Sequence, residues 1–466
     1  MTVHISGPKG HFLLGSIKPF TQDLLNFMTS ARQAHGDFIH FKLGPVDTYL
    51  ICRPELIRRV LVSDQDKFIK NRNFWKHFTS LFGLGLLTNE HQSWRVHRKL
   101  SAPAFQPKRI ANYADFMVSY TQEMMSHWQE GAEIDLHDEL MEVTARIVAK
   151  ALFDADLGEH NEQLLTAMHT LEGLIPTRMA RPFSWQDSIP TKSNRQYWKA
   201  LKKLNQVVDG FIQHHKDQER QGQESNSLLS VLMQARYEDG SRLPDKQLRD
   251  EVITLFLAGH DTTAITLSWA LYLLSLHPEK RAKLEEEVDS VLAGRDPGWD
   301  DLKLLPYTRS IIKETLRLYP AAHLIGRETT EDIEMDGVIL KKGASVLISP
   351  WLMGREETYF DDPLSFKPER WTETFEKDLP KGVYVPFSAG PRVCIGEGFA
   401  MMESIILLSS IVKNFRLNYE HSETVEPFPS ITLTPHGGIK VRVEKRESTI
   451  PSEVQCSGVQ SFASGS

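Results

Sequence analysis

The sequence predicts a mainly α-helical protein with small β-sheets, folded as one large domain. Three observations support this fold class. Most of the chain repeats its apolar residues three and four positions apart, as a helix with one buried face does. The β-type runs are few and short. Residues 1–446 contain no internal repeat and no linker-like stretch, so we expect them to form a single domain.

The first predicted elements form a β-hairpin. Phe38–Leu43 and residues 48–51 are rich in β-forming side chains, and the residues between them, Gly-Pro-Val-Asp, are typical of a turn. Residues 194–221 follow as an amphipathic helix. One stripe of this helix is apolar and contains Tyr197, Leu201, Leu204, Val208 and Phe211.

The longest predicted helix, called the central helix below, is Asp245–Leu276. It would be about 48 Å long at roughly 1.5 Å per residue, so it must cross the whole body of the protein. Two further helices, Pro278–Leu292 and Pro306–Leu318, have proline in their first turn. Later β-type runs are Val338–Leu340, Ser345–Ile348 and residues 440–443.

Composition narrows the class of protein. The 466 residues are 41% hydrophobic, enough for a large core, and the net charge of −7 gives no reason to expect nucleic acid as a partner. Three cysteines argue against a disulfide framework and for a cytoplasmic protein. The first thirty residues contain no membrane span or signal peptide, so no stable membrane insertion is expected. Residues 447–466 are expected to form a disordered tail.

Residues 387–396, FSAGPRVCIG, place Cys394 on a glycine-containing loop. Apolar residues recur at helical spacing after the loop, so a helix should begin near Gly396 and direct its N-terminus toward the thiol. That geometry would lower the pKa of the thiol, and Gly390 and Gly396 would permit backbone positions that a side chain blocks. A buried structural cysteine is the alternative. Zinc would need about four protein ligands, whereas haem iron needs only one here.

The spacing F-x-x-G-x-R-x-C-x-G resembles the cysteine-ligand loop of the cytochrome P450 family at every fixed position. The resemblance covers nearly the whole chain. It implies the cytochrome P450 fold, with haem b between the central helix and the cysteine-loop helix. It also implies that the Cys394 thiolate binds the iron and that Phe387 packs against the haem on the thiolate side.

The central helix contains Ala-Gly-His-Asp-Thr-Thr at positions 258–263, a polar group inside an apolar pattern. Glycine costs roughly 1 kcal/mol in a helix interior, so we expect the helix to be locally opened there. By resemblance to the family's oxygen-binding groove, Ala258 and Gly259 leave room above the iron, and Asp261 and Thr262 form the catalytic acid–alcohol pair that delivers protons. The alternative is a polar patch that satisfies its own hydrogen bonds. His260 is expected to serve packing or lie at the surface.

Glu314 and Arg317 form an E-x-x-R pair, which alone would be an ordinary surface pair. Residues 366–371, FKPERW, resemble the family segment that supplies a third member, Arg370. The resemblance implies a buried Glu–Arg–Arg set with a structural role. Four further residues resemble the family's contacts to the haem propionates, namely Trp94, Arg98, Arg327 and Arg392.

A basic stretch without acidic residues lies between Glu90 and Asp115 and contains Arg95, Arg98, Lys99, Lys108 and Arg109. Most such runs are solvated surfaces. In the family this surface lies on the thiolate side and would attract an acidic electron donor. We therefore expect a ferredoxin or flavodoxin, with its NAD(P)H reductase, as partner of a monomeric enzyme.

Apolar residues occupy the segments that cap the substrate pocket in the family, which indicates a lipophilic substrate, fatty acid or terpenoid-like. These residues are Phe74, Trp75, 78–87, Leu174, Ile175, Phe183, Leu324 and Ile325. The predicted function is a haem-thiolate monooxygenase that uses O2. Two alternatives stay open: a peroxide-driven or oxygen-independent haem-thiolate enzyme, and a non-catalytic protein that binds haem or a lipophile.

Overall fold

The computed structural model describes residues 5–154, 166–168, 170–171, 173–174, 178, 184–222 and 227–447. Ile175, Phe183 and the predicted tail from residue 448 onward lie outside these described residues. The described part is mainly helical with small sheets, which confirms the predicted fold class. In this part of the chain we find no helix that is both long and apolar enough to span a bilayer.

The body of the protein consists of nine longer helices among the described residues. They are Leu24–His35, His91–Ser101, Ala114–Ser126, Leu136–Phe153, Lys192–Arg220, Asp245–Leu276, Pro278–Leu292, Pro306–Leu318 and Glu397–Asn414. Short α-helices connect them at Ile17–Gln22, Pro54–Arg58, Arg72–Trp75, Thr79–Phe82, Pro107–Ile110, Leu228–Gln234, Pro350–Met353 and Glu373–Asp378. Single turns of 3₁₀- or π-helix occur at Arg59–Ser63, Gln65–Lys67, Ala102–Phe105, Ala111–Tyr113, Ser184–Ser188, Trp299–Lys303, Pro368–Arg370 and Gly390–Arg392.

Twelve short strands are present in the described chain. They are β1 (Phe38–Leu43), β2 (Val46–Ile51), β3 (Phe68–Lys70), β4 (Glu133–Asp135), β5 (Ile325–Thr329), β6 (Ile333–Met335), β7 (Val338–Leu340), β8 (Ser345–Ile348), β9 (Phe415–Asn418), β10 (Pro427–Pro429), β11 (Leu433–Pro435) and β12 (Lys440–Lys445). The largest sheet has the order β1-β2-β8-β5-β3, with β2 and β8 parallel. A second sheet has the order β4-β12-β9, and β6-β7 and β10-β11 pair separately.

The predicted bounds of the central helix and of the two helices Pro278–Leu292 and Pro306–Leu318 agree with the structure to the residue. The predicted hairpin is also present, but β2 begins at Val46 because Leu43 pairs with Val46 across a two-residue turn. Gly44 in this turn has φ 61°, a conformation that favours glycine.

The central helix is enclosed by other helices. It packs against Leu136–Phe153, Pro306–Leu318, Glu397–Asn414 and Lys192–Arg220. Every residue from Asp250 to Leu274 is buried except Ala258, Gly259, Asp261 and Thr262. An apolar helix buried on all sides therefore carries one short accessible stretch, at the polar group that the sequence singled out.

The expected local opening of the central helix is not observed, and this prediction was wrong. Asp245–Leu276 is α-helical throughout. The threonine hydroxyls donate to carbonyl oxygens four residues earlier, from Thr262 to Ala258 at 2.9 Å and from Thr263 to Gly259 at 3.1 Å. These bonds satisfy the hydroxyls without interrupting the backbone ladder.

Candidate active site around Cys394

The cysteine loop is closed by its own backbone. The Cys394 N–H donates to the Phe387 carbonyl at 2.9 Å. Gly390 has φ 70°, and a Cβ there would lie 2.1 Å from the Leu61 carbonyl oxygen, so this position requires glycine. Gly396 differs from the expectation. It has φ −91°, and a Cβ there would meet Cys394 Sγ only at 4.0 Å, so neither conformation nor space requires glycine.

The cysteine-loop helix, Glu397–Asn414, begins directly after the loop, as predicted. The backbone N–H groups of Gly396 and Glu397 donate to the Cys394 sulfur. Burial nevertheless raises the pKa of the thiol, and the two N–H groups and Arg98 only partly oppose this. The expected lowering of the thiol pKa was therefore wrong for the protein chain, because desolvation outweighs the helix terminus.

The Cys394 side chain combines two properties that rarely occur together. Protein surrounds it closely enough to raise its pKa, yet it keeps accessible surface. It is therefore not packed into the core. Cys394 lines a groove of about 500 Å³ between the cysteine-loop helix and Trp299–Lys303.

The accessible stretch of the central helix presents small and polar side chains. Ala258 and Thr262 are four residues apart and lie on one face of the helix, with Asp261 beside them. Gly259 has a packing reason of its own, because a Cβ there would lie 3.2 Å from Val148 Cγ2 on the neighbouring helix. His260 is buried on another face. Its Nδ1 lies 3.0 Å from the Phe256 carbonyl oxygen, which agrees with a packing role.

Asp261 is the titratable side chain of this stretch. Burial raises the pKa of its carboxyl to about 6, while a hydrogen bond from the Thr432 hydroxyl acts in the opposite direction. Sequence reasoning missed Thr432, which lies 171 positions away at the start of the β11 region and carries no motif. The carboxyl group therefore exchanges its proton close to neutral pH.

A cluster of cations forms around the buried Arg327, and its other two members, Lys70 and Arg392, are half-buried. Strand β3 pairs with β5, so that Lys70 lies directly opposite Arg327. Arg392 is close to both, and burial is the main reason that the pKa of each of the three is lowered. Glu90 is the acid that acts on all three, and it forms an ion pair with Arg392. Among the described residues, the cluster thus has three cations against one carboxylate.

Trp94 and Arg98 lie on the helix His91–Ser101, next to this cluster. The Arg392 guanidinium lies 4.2 Å from the centre of a Trp94 ring, a cation–π contact. Burial lowers the pKa of Arg98, and the Cys394 thiol acts on it in the opposite direction, so Arg98 is near the cysteine. The four predicted propionate contacts therefore lie around one region, and Lys70 and Glu90 join them without any sequence signal.

These residues fit a haem group. The cluster has more cations than carboxylates, and the two propionates could balance this excess, since like charges placed opposite each other in a sheet are unfavourable without an anion. The accessible Cys394 thiol could bind iron, and Phe387 on the same loop could cover the thiolate side. The small Ala258 and the polar Asp261 and Thr262 could lie on the other side.

The E-x-x-R helix, Pro306–Leu318, is fastened by a buried ionic network. Arg317 donates to both oxygens of Glu314, at 2.7 and 2.8 Å, and Arg370 donates to Glu314 at 3.0 Å. The indole N–H of Trp371 also donates to Glu314, at 2.9 Å. Arg317 further donates to the carbonyls of Gly354, Pro363 and Ser365. The predicted set is thus brought together, and Trp371 adds a contact that was not foreseen.

The predicted basic surface is present. Arg95, Lys99 and Lys108 are exposed, and Arg109 is half-buried. Arg95 forms an ion pair with Asp66. Of the predicted pocket residues, Phe74, Trp75, Leu174 and Leu324 are partly accessible, whereas Phe78 and Ile325 are buried in the core.

Comparison with known proteins agrees with the geometry. Residues 5–443 match the cytochrome P450 family. Cyclooctatin synthase from Streptomyces melanosporofaciens is 35% identical over 432 residues, which cover 91% of each chain. Pentalenene oxygenase from Streptomyces avermitilis is 34% identical over 91% of this chain and 93% of its own. Cyclooctat-9-en-7-ol 5-monooxygenase from S. melanosporofaciens is 34% identical over 90% of this chain and 89% of its own.

Proposed function

Because the chain belongs to the cytochrome P450 family and is a haem-thiolate monooxygenase, we propose that it inserts one oxygen atom from O2 into a terpenoid-like or fatty-acid-like substrate. The observation that carries this proposal is the accessible thiol of Cys394, together with the short accessible stretch of an otherwise buried central helix. When bound, the haem supplies the redox chemistry that activates O2.

Cys394 is the proposed iron ligand, and the clustered cations are the proposed partners of the propionates. Arg327, Arg392 and Lys70 supply positive charge, and Trp94 and Arg98 complete this side of the site. Phe387 limits the access of water to the thiolate. Ala258 keeps bulky side-chain atoms away from the space above the iron. The expected role of Gly259 in that space is not supported, because a side chain there would meet Val148 on the neighbouring helix.

Asp261 and Thr262 are the proposed groups for proton delivery. A carboxyl group with a pKa of about 6 can take up a proton from solvent and release it at neutral pH, which suits a general acid. The Thr262 hydroxyl lies next to it and can hold an ordered water. The hydrogen bond from Thr432 lowers the proton affinity of Asp261 and so limits the increase that burial causes.

The substrate class is argued from the pocket and from the relatives. The aromatic rings of Phe74 and Trp75 lie 5.4 Å apart and are partly accessible. The names of the relatives indicate that they act on pentalenene and on cyclooctat-9-en-7-ol. Both observations favour a lipophilic substrate of terpenoid character. Electrons would come from a separate acidic ferredoxin or flavodoxin that docks on the exposed Lys99 and Lys108.

The first test is the absorption spectrum of the dithionite-reduced protein under carbon monoxide, for the wild type and Cys394→Ser. We expect a strongly red-shifted Soret band that the substitution abolishes; an identical band in both proteins would show that another residue binds the iron. Product formation is then assayed with a ferredoxin, its reductase, NADPH and O2. Product from hydrogen peroxide alone, without product from the electron donors, would favour the peroxide-driven alternative.

A further inference from the structure

A group of buried polar atoms without partners lies at the N-terminal end of the long helix Lys192–Arg220. Arg178 is 3% exposed, and its Nε and Nη1 have no hydrogen-bond partner among the described residues. The same holds for Nδ1 of His77 and Oγ of Ser193. Each such atom costs about 1 to 3 kcal/mol if it stays unpaired, so their concentration in one place calls for an acceptor.

The surroundings hold Arg178 in place. Its guanidinium lies 3.8 Å from the centre of the Tyr197 ring and pairs through Nη2 with Asp187 at 3.0 Å. Tyr197 is itself fastened by a 2.7 Å hydrogen bond between its hydroxyl and that of Ser80. Ser193 lies one helical turn before Tyr197 and therefore on the same helix face. The guanidinium is thus fixed while two of its nitrogens stay available.

The local charge favours an anion. The charged groups that act on His77 are Lys76, Asp187 and Arg178, two cations and one carboxylate. Burial, followed by the two cations, lowers the pKa of His77, so the imidazole is neutral at pH 7. The net charge of Lys76, His77, Arg178 and Asp187 together is therefore +1. Asp187 pairs with only one of the three guanidinium nitrogens, Nη2.

The position of these residues connects them to the proposed substrate pocket. In the sequence, His77 lies between Trp75 and Phe78, which form an aromatic group with Phe74 whose ring centres are 5.1 to 5.5 Å apart. The helices Thr79–Phe82 and Lys192–Arg220, which border the group, both pack on the central helix. An apolar chain could therefore lie along the aromatic side chains while its polar end reaches Arg178.

We propose that Arg178, with His77 and Ser193, binds a carboxylate at one end of the lipophilic substrate, so that the enzyme acts on an acid, either a fatty acid or a terpenoid acid. This inference rests on the proposed function and specifies the substrate class of that same site. The Nε and Nη1 hydrogens donate to the carboxylate oxygens, and the Ser193 hydroxyl adds a third donor.

The test compares matched acids and alcohols. Tetradecanoic acid with 1-tetradecanol, and farnesoic acid with farnesol, are titrated into the ferric holoenzyme. Binding is followed by the Soret change and by calorimetry, which does not depend on the spin state. In at least one pair we expect the acid to bind the wild type about tenfold or more tightly than the alcohol, because hydrogen bonds to a charged group contribute about 1.5 to 3 kcal/mol.

Arg178→Gln should remove most of this preference for the acid and change the affinity for the alcohol by no more than about threefold. Arg195→Gln, an exposed arginine on the same long helix, is the matched control and should keep the preference. If Arg178→Gln does not fold, Arg178→Lys and Ser193→Ala take its place and should each reduce the preference.

Equal or weaker binding of the acid by the wild type in both pairs would overturn the inference. So would an equal loss of affinity for acid and alcohol in Arg178→Gln, since that result indicates a purely structural arginine. The red-shifted carbon monoxide band is measured on every variant. Its absence from the wild type would instead contradict the proposed function, so the two failures are distinguishable.

Discussion

At the scale of single residues, Asp261 shows how its surroundings set the chemistry of a side chain. An exposed aspartate is ionised at pH 7 and cannot act as an acid. Burial raises the pKa of this carboxyl to about 6, and the Thr432 hydroxyl limits the rise because it donates to the ionised form. The proton affinity of this side chain therefore results from two opposing contributions, burial and the Thr432 hydrogen bond, and neither is visible in the recognised motif.

This balance predicts a pH dependence of coupling, measured as product formed per NADPH consumed. Coupling should fall as pH rises through about 6, because the protonated Asp261 is the donor. Thr432→Val removes the donor to the carboxylate, so the pKa rises and the midpoint should move to higher pH. Asp261→Asn should abolish this transition. Thr434→Val, a substitution in strand β11, is the control and should leave the midpoint unchanged. If Thr432→Val has the same midpoint as the wild type, the assignment is contradicted.

Lys70 is the second residue whose role depends on its surroundings. It is half-buried opposite Arg327 and near Arg392, so desolvation and two like charges lower its pKa well below the usual value. Such an arrangement is unfavourable in the chain alone. It becomes favourable when the two propionates supply the missing negative charge.

Lys70→Met should therefore have opposite effects on two measurements. The thermal midpoint of the haem-free protein should rise, because repulsion among the cations is relieved. Haem transfer to excess apomyoglobin should become about tenfold faster or more, since a charge-assisted hydrogen bond contributes about 1.5 to 3 kcal/mol. The control is Lys67→Met, an exposed lysine three positions earlier. Unchanged haem transfer in Lys70→Met would remove Lys70 from the haem site.

At the scale of elements, the Glu314 network joins the helix Pro306–Leu318 to the segment that precedes the cysteine loop. Glu314 accepts hydrogen bonds from Arg317, Arg370, Trp371 and the backbone N–H of Lys367. Three of these hydrogen bonds reach Oε1 and two reach Oε2, and the carboxylate is fully buried. These contacts hold the segment that precedes the cysteine loop against the helix Pro306–Leu318.

Glu314→Gln should destabilise the protein strongly, because Arg317 and Arg370 would remain as buried charges without a carboxylate. Breaking a buried ion pair costs about 3 to 5 kcal/mol, to be measured as a shift in urea-induced unfolding followed by circular dichroism. Glu376→Gln is the matched control. Glu376 pairs with Lys313 near the surface, and its loss should cost less than about 1 kcal/mol. Equal effects of the two substitutions would argue against the structural role.

At the scale of the whole molecule, the distribution of charged residues over the surface matters more for the docking of a partner protein than the net charge does. The protein carries a net charge of −7, yet Arg95, Lys99 and Lys108 are exposed within one stretch of the chain that lacks acidic residues. A local positive surface on an acidic protein can orient an acidic partner while the remaining surface repels it.

Reversal of this local charge should slow reduction of the haem protein by an acidic [2Fe–2S] ferredoxin. For Lys99→Glu/Lys108→Glu we expect the rate constant at low salt to decrease by at least about tenfold. This difference from the wild type should vanish at about 1 M salt. Lys202→Glu/Lys203→Glu changes the net charge equally at exposed positions of the long helix Lys192–Arg220 and should have little effect. An equal decrease in both variants would indicate a net-charge effect without a defined docking surface.

Local patterns predicted a large part of this molecule. Helical periodicity and first-turn prolines were sufficient for the bounds of three helices, since a helix is specified by residues within a few positions of each other. The expected opening of the central helix was wrong, because the sequence does not show that the Thr262 and Thr263 hydroxyls bond back to the preceding turn.

The sequence by itself determined the fold class, the family, the cysteine loop and the Glu314 set, because each rests on residue types at short, regular spacing. Tertiary structure alone decided that Lys70 lies opposite Arg327, that Thr432 reaches Asp261, and that burial raises the pKa of Cys394. It also decided that two nitrogens of Arg178 have no hydrogen-bond partner among the described residues. Proximity of distant residues and exclusion of water are consequences of packing, and packing has no short-range signature in the chain.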